Sequence, residues 1–147
     1  MPYLRITCPE MEAAARRTIA AQLTTRIVEL FFNPCARLTR EELRERTTVH
    51  FAQYGLDEMF IGGVPQEHLA ADVTVELSDW SMSVRMQRRV AREIAPLLAE
   101  MFGVTAPDLD NVNIRFHSYP PTDFAVGGRL LSDVVPWIGR TLKRLSA

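Results

Sequence analysis

The residue with the most specific chemical potential in this sequence is Pro2, which follows the initiator methionine. A small second residue usually permits removal of Met1, and Pro2 would then begin the chain as a secondary amine, free of the amide resonance that removes basicity. An α-amino group titrates at about 8, and a secondary amine is more basic. Desolvation or a nearby cation disfavours the protonated form and brings such a nitrogen toward neutrality. A base poised there can lift a proton next to a carbonyl and return it elsewhere on the same molecule. The other reactive types form no such constellation. Cys8 and Cys35 lack CxxC spacing, and His50, His68 and His117 are scattered without a ligand pair, so no metal site and no disulfide is expected. Both thiols read as small core residues in a reducing cytosol, which makes the expected location cytoplasmic.

The elements that must position Pro2 repeat along the chain. Tyr3 to Thr7 reads as a strand, and Ile19, Leu23, Ile27, Leu30 and Phe31 then recur as one helix face does. Asn33-Pro34 stops that helix, and Thr39-Arg40-Glu41-Glu42 has the capping-box pattern of a short extra helix. Val49 to Ala52 is the returning strand, followed by Met59-Phe60-Ile61-Gly62-Gly63. The second half repeats this order. Asp72 to Leu77 alternates as a strand, and Met86, Val90, Ile94, Leu97, Leu98 and Met101 form a helical stripe ended by Gly103. Val112 to Arg115 then leads to Phe124-Ala125-Val126-Gly127-Gly128. Pro96 inside the second helix predicts a kink near Ala95 within one helix.

The expected fold is α+β: two tandem β-α-β units, residues 2–63 and 72–128, joined by a linker at 64–71. Together they share one four-stranded sheet with two helices on one face. Residues 129–147 form a C-terminal helical extension, with Leu131, Val134, Val135, Ile138, Leu142 and Leu145 at helical spacing and Arg140, Lys143 and Arg144 near its end. The uncovered sheet face carries His50, Ala52, Tyr54, Asn113, Arg115 and His117. That mixture predicts a polar, water-filled or subunit-contacting surface, not a second core.

Composition agrees with one globular domain. The 147 residues are 47% apolar and 24% charged, enough to bury a core. With 17 Lys+Arg against 18 Asp+Glu, the net charge of -1 supplies no overall field for nucleic acid or an anionic membrane. No signal peptide and no membrane span are read from the sequence.

Met1-Pro2-Tyr3-Leu4 opening a strand, the helix after it and Met59-Phe60-Ile61-Gly62-Gly63 closing the unit resemble the tautomerase superfamily, whose best-known small member is 4-oxalocrotonate tautomerase. The doubled arrangement is similar to its fused, tandem members. The resemblance implies that Pro2 is the general base and acid in keto-enol tautomerisation of a small 2-oxo acid or arylpyruvate-like enol, without metal or organic cofactor. It implies a homotrimer with three sites, because only the first unit offers an amino-terminal proline. Phe124, before the second Gly-Gly, matches the family's aromatic wall. The family's two substrate-binding arginines have no clean counterparts: Arg85 stands near one position, His50 and Asn113 occupy the other, and Arg115 shares the face of Asn113. The expected substrate-binding residues are therefore Arg115, Phe124, Arg85 and His50, acting on a small carboxylate. Related members use the proline as an acid in hydrolytic dehalogenation or decarboxylation, for which Asp57, Glu58 or Asp123 would have to activate water. A catalytically degenerate trimeric scaffold or small-ligand binding protein of the same fold, and an unrelated ferredoxin-like binding module, are the alternatives.

Overall fold

In the computed structural model, which describes residues 1–36, 38–66 and 71–135, the alternation at the chain start becomes strand β1 (Tyr3–Pro9). Leu4, Ile6 and Cys8 are buried on one face, and Tyr3 and Arg5 are exposed on the other. Helix α1 (Ala13–Phe31) buries Ile19, Leu23, Ile27 and Leu30. Beyond it, Asn33 Oδ1 accepts a hydrogen bond from the Cys35 N–H at 2.9 Å, a local turn that ends the helix and leaves Cys35 exposed, so that of the two thiols expected in the core only Cys8 is there. Helix α2 (Arg40–Glu45) starts with the predicted capping box: the Glu42 N–H donates to Thr39 Oγ1 at 3.1 Å and the Thr39 N–H to Glu42 Oε2 at 2.8 Å. These bonds from Thr39 hold the Glu42 carboxyl below its ordinary range.

Strand β2 (Thr48–Tyr54) returns parallel to β1, and the short strands β3 (Phe60–Ile61) and β4 (Val64–Pro65) close the first unit as a hairpin. Val64 and Pro65, which the sequence reading gives to the linker, are thus paired residues. Strand β5 (Val73–Trp80) begins the second unit, helix α3 (Val84–Phe102) follows, and β6 (Val112–Tyr119) returns parallel to β5. A second hairpin, β7 (Ala125–Val126) and β8 (Arg129–Leu130), leads into the single turn α4 (Leu131–Val134). Both hairpins turn on Gly-Gly with positive φ at each glycine, +60° and +81° at Gly62-Gly63 and +57° and +77° at Gly127-Gly128. Such two-residue turns need two left-handed positions, which glycine supplies without a Cβ penalty. The rest of the expected C-terminal helix, with Ile138, Arg140, Leu142, Lys143, Arg144 and Leu145, lies outside the described residues, as does His68.

The four long strands form one sheet in the order β2-β1-β5-β6, parallel within each unit and antiparallel where β1 meets β5. Leu4, Ile6, Val73, Val75 and Leu77 pack against Leu23, Ile27, Val90, Ile94 and Leu98 of α1 and α3 in a single core. Burying each such side chain contributes about 1.5–3 kcal/mol. Helix α3 is continuous through Pro96, which lies on its exposed side. The other face of the sheet is polar: Arg5 and Glu76 are 3.7 Å apart, His117 Nε2 lies 3.8 Å from the same carboxylate, and the Tyr3 hydroxyl and His50 Nδ1 are 3.0 Å apart. Tyr54 departs from the parity reading. It is buried, its hydroxyl donates to the Asp72 carbonyl at 2.9 Å, and burial pushes its phenol up to about 12. No helix among the described residues is long and apolar enough to cross a membrane.

Candidate active site

The chain start, the end of β5 and the end of β6 converge at one end of the sheet. Pro2 is buried, and its carbonyl accepts the Thr48 N–H at 3.0 Å, which ties the first residues to the start of β2. Along the antiparallel β1–β5 pair, Tyr3 stands opposite Ser78. Continuing that register by one residue sets Pro2 opposite Asp79, on the helix-covered face.

Asp79 is 1% exposed, and its Oδ1 lies 2.6 Å from the amino group of Met1. A carboxylate at this depth is costly unless a positive charge meets it. The amine at the chain start supplies that charge. The sequence does not single this residue out, because the expected strand ends at Leu77. The strand runs on to Trp80, and the inward row reads Val73, Val75, Leu77, Asp79. A carboxylate in a row of apolar inward positions is the signal that would have found it.

Tyr119 closes β6 beside this pair. Burial pushes its phenol up to about 12, with the negative charge of Asp79 acting in the same direction. Its carbonyl accepts the N–H of Ser81, at 2.9 Å, where the chain leaves β5 with φ +51°. Phe124 packs its ring on that of Tyr119, centroids 5.5 Å apart. Phe124 and the chain start are therefore linked through Tyr119 and Asp79, forming an aromatic wall next to a charged pair.

The remaining expected residues stand elsewhere within one chain. Arg115 is exposed on the open face of β6 in register with Glu76, about 13 Å along the strand from Tyr119 at the usual rise per residue. Its charge acts on Asp72, whose carboxyl burial nonetheless holds above the ordinary range. His50 is exposed on the open face of β2, against Tyr3. Arg85 is exposed in the first turn of α3, on a shallow groove with Arg88, Ala91 and Arg92. Asp57, Glu58 and Asp123 are exposed in turns. The group placed against the chain start is an anion, whereas the sequence reading anticipates desolvation or a cation there.

No family model matches the sequence, and no curated protein does. Solved structures match the fold over nearly the whole chain. A fused 4-OT solved as an asymmetric trimer superposes with a TM-score of 0.73 at 13% identity, covering 91% of this chain and 99% of that one. The structure of Pt0534 inactivated by 2-oxo-3-pentynoate gives a TM-score of 0.72 at 12% identity, with 91% and 99% covered. A macrophage migration inhibitory factor homologue from Prochlorococcus marinus gives a TM-score of 0.64 at 15% identity, covering 88% of this chain and 98% of that chain.

Proposed function

We propose, for a chain that has the fused 4-OT fold of the tautomerase superfamily, that removal of Met1 yields a tautomerase of small enols of 2-oxo acids, arylpyruvate-like compounds included. The Pro2 nitrogen carries the proton. One observation carries the reading: the chain start is not a loose end, because Pro2 is buried at one end of the sheet and the amine before it meets Asp79, next to the Tyr119–Phe124 wall. An enol seated there receives a proton at carbon from the prolyl nitrogen and returns its hydroxyl proton to it. One C–H bond forms, one O–H bond breaks, and the nitrogen ends as it began. Phe124 excludes water on one side.

The substrate carboxylate needs a cation, which Arg115 or Arg85 supplies, with His50 as a hydrogen-bonding neighbour. Arg115 and His50 lie on the open face of the sheet while Pro2 is on the helix-covered face, so their participation requires a neighbouring copy. A homotrimer, as in the fused 4-OT match, provides one. The polar open face, with Arg5, Glu76 and His117, and the exposed apolar tips Phe60, Ile61, Val64, Val126 and Leu130 of the hairpins supply surfaces for such packing.

The test pairs intact mass with turnover of phenylenolpyruvate and 2-hydroxymuconate by the parent and by Pro2→Ala. Loss of at least about 100-fold in kcat/KM for the variant is expected of a proton carrier. Equal turnover rejects Pro2. The bond from the Met1 amine to Asp79 favours a second reading for material that keeps Met1: a ligand-binding scaffold without turnover, in which intact mass finds the methionine.

A further inference from the structure

The Asp79 carboxylate has no role in the proton shuttle just described, yet it is the most deeply buried charge in the described residues, at 1% exposure. Fold alone does not require it. Val73, Val75 and Leu77 precede it on the same inward row, and an apolar side chain would continue the core. What the carboxylate does hold is the positive end of the chain, at 2.6 Å. Two successive backbone nitrogens are separated by at most about 3.7 Å, so the Pro2 nitrogen lies within about 6 Å of the Asp79 oxygen even before any adjustment. Loss of Met1 removes the group between them and leaves the carboxylate facing the prolyl nitrogen.

We propose that Asp79 is the positioning residue of the site: it pairs with the amino-terminal nitrogen of the processed chain and keeps it protonated, so that Pro2 enters the reaction as a proton donor. The inference rests on the tautomerase reading for its catalytic consequence, but not for the pairing. An opposite charge at this range in a dry site favours the charged form of the amine, against the lowering that burial alone would bring. The Tyr119 phenol on β6 is neutral at working pH. Arg85 in the first turn of α3 is exposed, and Arg5, Glu76 and His117 pair with one another on the opposite face of the sheet. The site thereby suits substrates that arrive as enols and must be protonated at carbon, in preference to ketones whose carbon acid must first be deprotonated.

The direct test is titration of the Pro2 nitrogen in processed protein labelled with 15N-proline, beside a Pro-Tyr-Leu-Arg peptide. The nitrogen is expected to titrate at or above the peptide value; a lower value in the parent protein overturns the proposal without any variant. Asp79→Asn, and Asp79→Leu as the variant that extends the apolar row, are expected to lower that titration by at least one pH unit. A shift of less than half a unit in a folded variant also overturns it. The alkaline limb of kcat/KM for ketonisation is expected to move down with the titration, which a merely structural role for Asp79 would not cause. If Pro2→Ala turns over at the parent rate, the tautomerase reading falls while the titration still decides on Asp79. If turnover depends on Pro2 but its titration ignores Asp79, this inference falls and the functional reading stands.

Discussion

The two ends of the β1–β5 pair are built from equivalent positions and differ in charge. On the inward row of β1, Cys8 stands where Asp79 stands on β5, and Tyr54 closes β2 as Tyr119 closes β6. Both phenols are pushed up to about 12 by burial. At the Cys8 end the chain is internal: Asp72 offers a carbonyl to the Tyr54 hydroxyl, and burial pushes the thiol up to about 11 although the Arg16 charge acts to lower it, so the inward position itself is neutral. At the Asp79 end the chain begins, an amine meets a buried carboxylate, and Phe124 covers the tyrosine. The parallel pairings β1–β2 and β5–β6 give the two ends a shared frame. The proposed proton carrier can stand at only one of the two ends, because a free nitrogen exists only where a chain starts.

That contrast can be broken most severely by abolishing the free prolyl nitrogen without changing a side chain. Protein produced with methionine aminopeptidase inhibited, and shown by mass to keep Met1, should have kcat/KM at least about 100-fold below the processed form, since an amide nitrogen carries no proton. Equal activity in the two forms would remove the chain start from the mechanism. The converse experiment puts the charge at the wrong end. Cys8→Asp places a carboxylate in the core where only the Arg16 charge, not a chain-start amine, acts on it, and should destabilise the fold by about 2 kcal/mol or more in denaturant unfolding at pH 7. The buried carboxyl would have a pKa above its unfolded value, so the penalty should grow as pH rises past about 4 and shrink below it. A pH-independent loss would mean that the aspartate reaches solvent.

A third, milder test concerns what the ends share. Tyr54 and Tyr119 at about 12 and Cys8 at about 11 all keep protons in the folded state that an unfolded chain gives up earlier. The unfolded state then binds fewer protons, so stability should be constant to about pH 8.5 and fall as pH rises through the range from there to about 12. Urea midpoints at pH 8, 9.5 and 10.5, read beside phenolate absorbance, check both the sign and the window. A flat midpoint across that range contradicts the burial of these groups.

Most of this architecture was legible because it is written in short-range periodicity. The stripes Ile19-Leu23-Ile27 and Val90-Ile94-Leu98, the Thr39–Glu42 box and the paired glycines each encode a local geometry that tertiary contacts did not override. The candidate site was only half legible. Pro2 and Phe124 stand out by type and place, but Asp79 and Tyr119 acquire meaning only when β5 and β6 end side by side. Alternation gives no warning of where a strand stops, and a polar residue at its end reads as a loop. Arg115, His50 and Arg85 illustrate the opposite failure. Their types suit a carboxylate, yet side-chain chemistry does not reveal the face of the sheet or the copy of the chain to which an arginine must belong.

The finest difference between the two ends lies in their tyrosine hydroxyls. The Tyr54 hydroxyl donates to Asp72 within the protein, while the Tyr119 hydroxyl is tied by no hydrogen bond to another described residue and its ring is held by packing on Phe124. Removing the first leaves a partly buried carbonyl short of a partner, so Tyr54→Phe should cost about 1 kcal/mol. Tyr119→Phe keeps the ring contact and loses nothing internal, and should stay within about 0.5 kcal/mol of the parent. Urea unfolding of the two variants side by side measures the difference. If Tyr119→Phe proves the more costly, that hydroxyl is committed to the fold, and the end that holds the chain start is as closed as its counterpart.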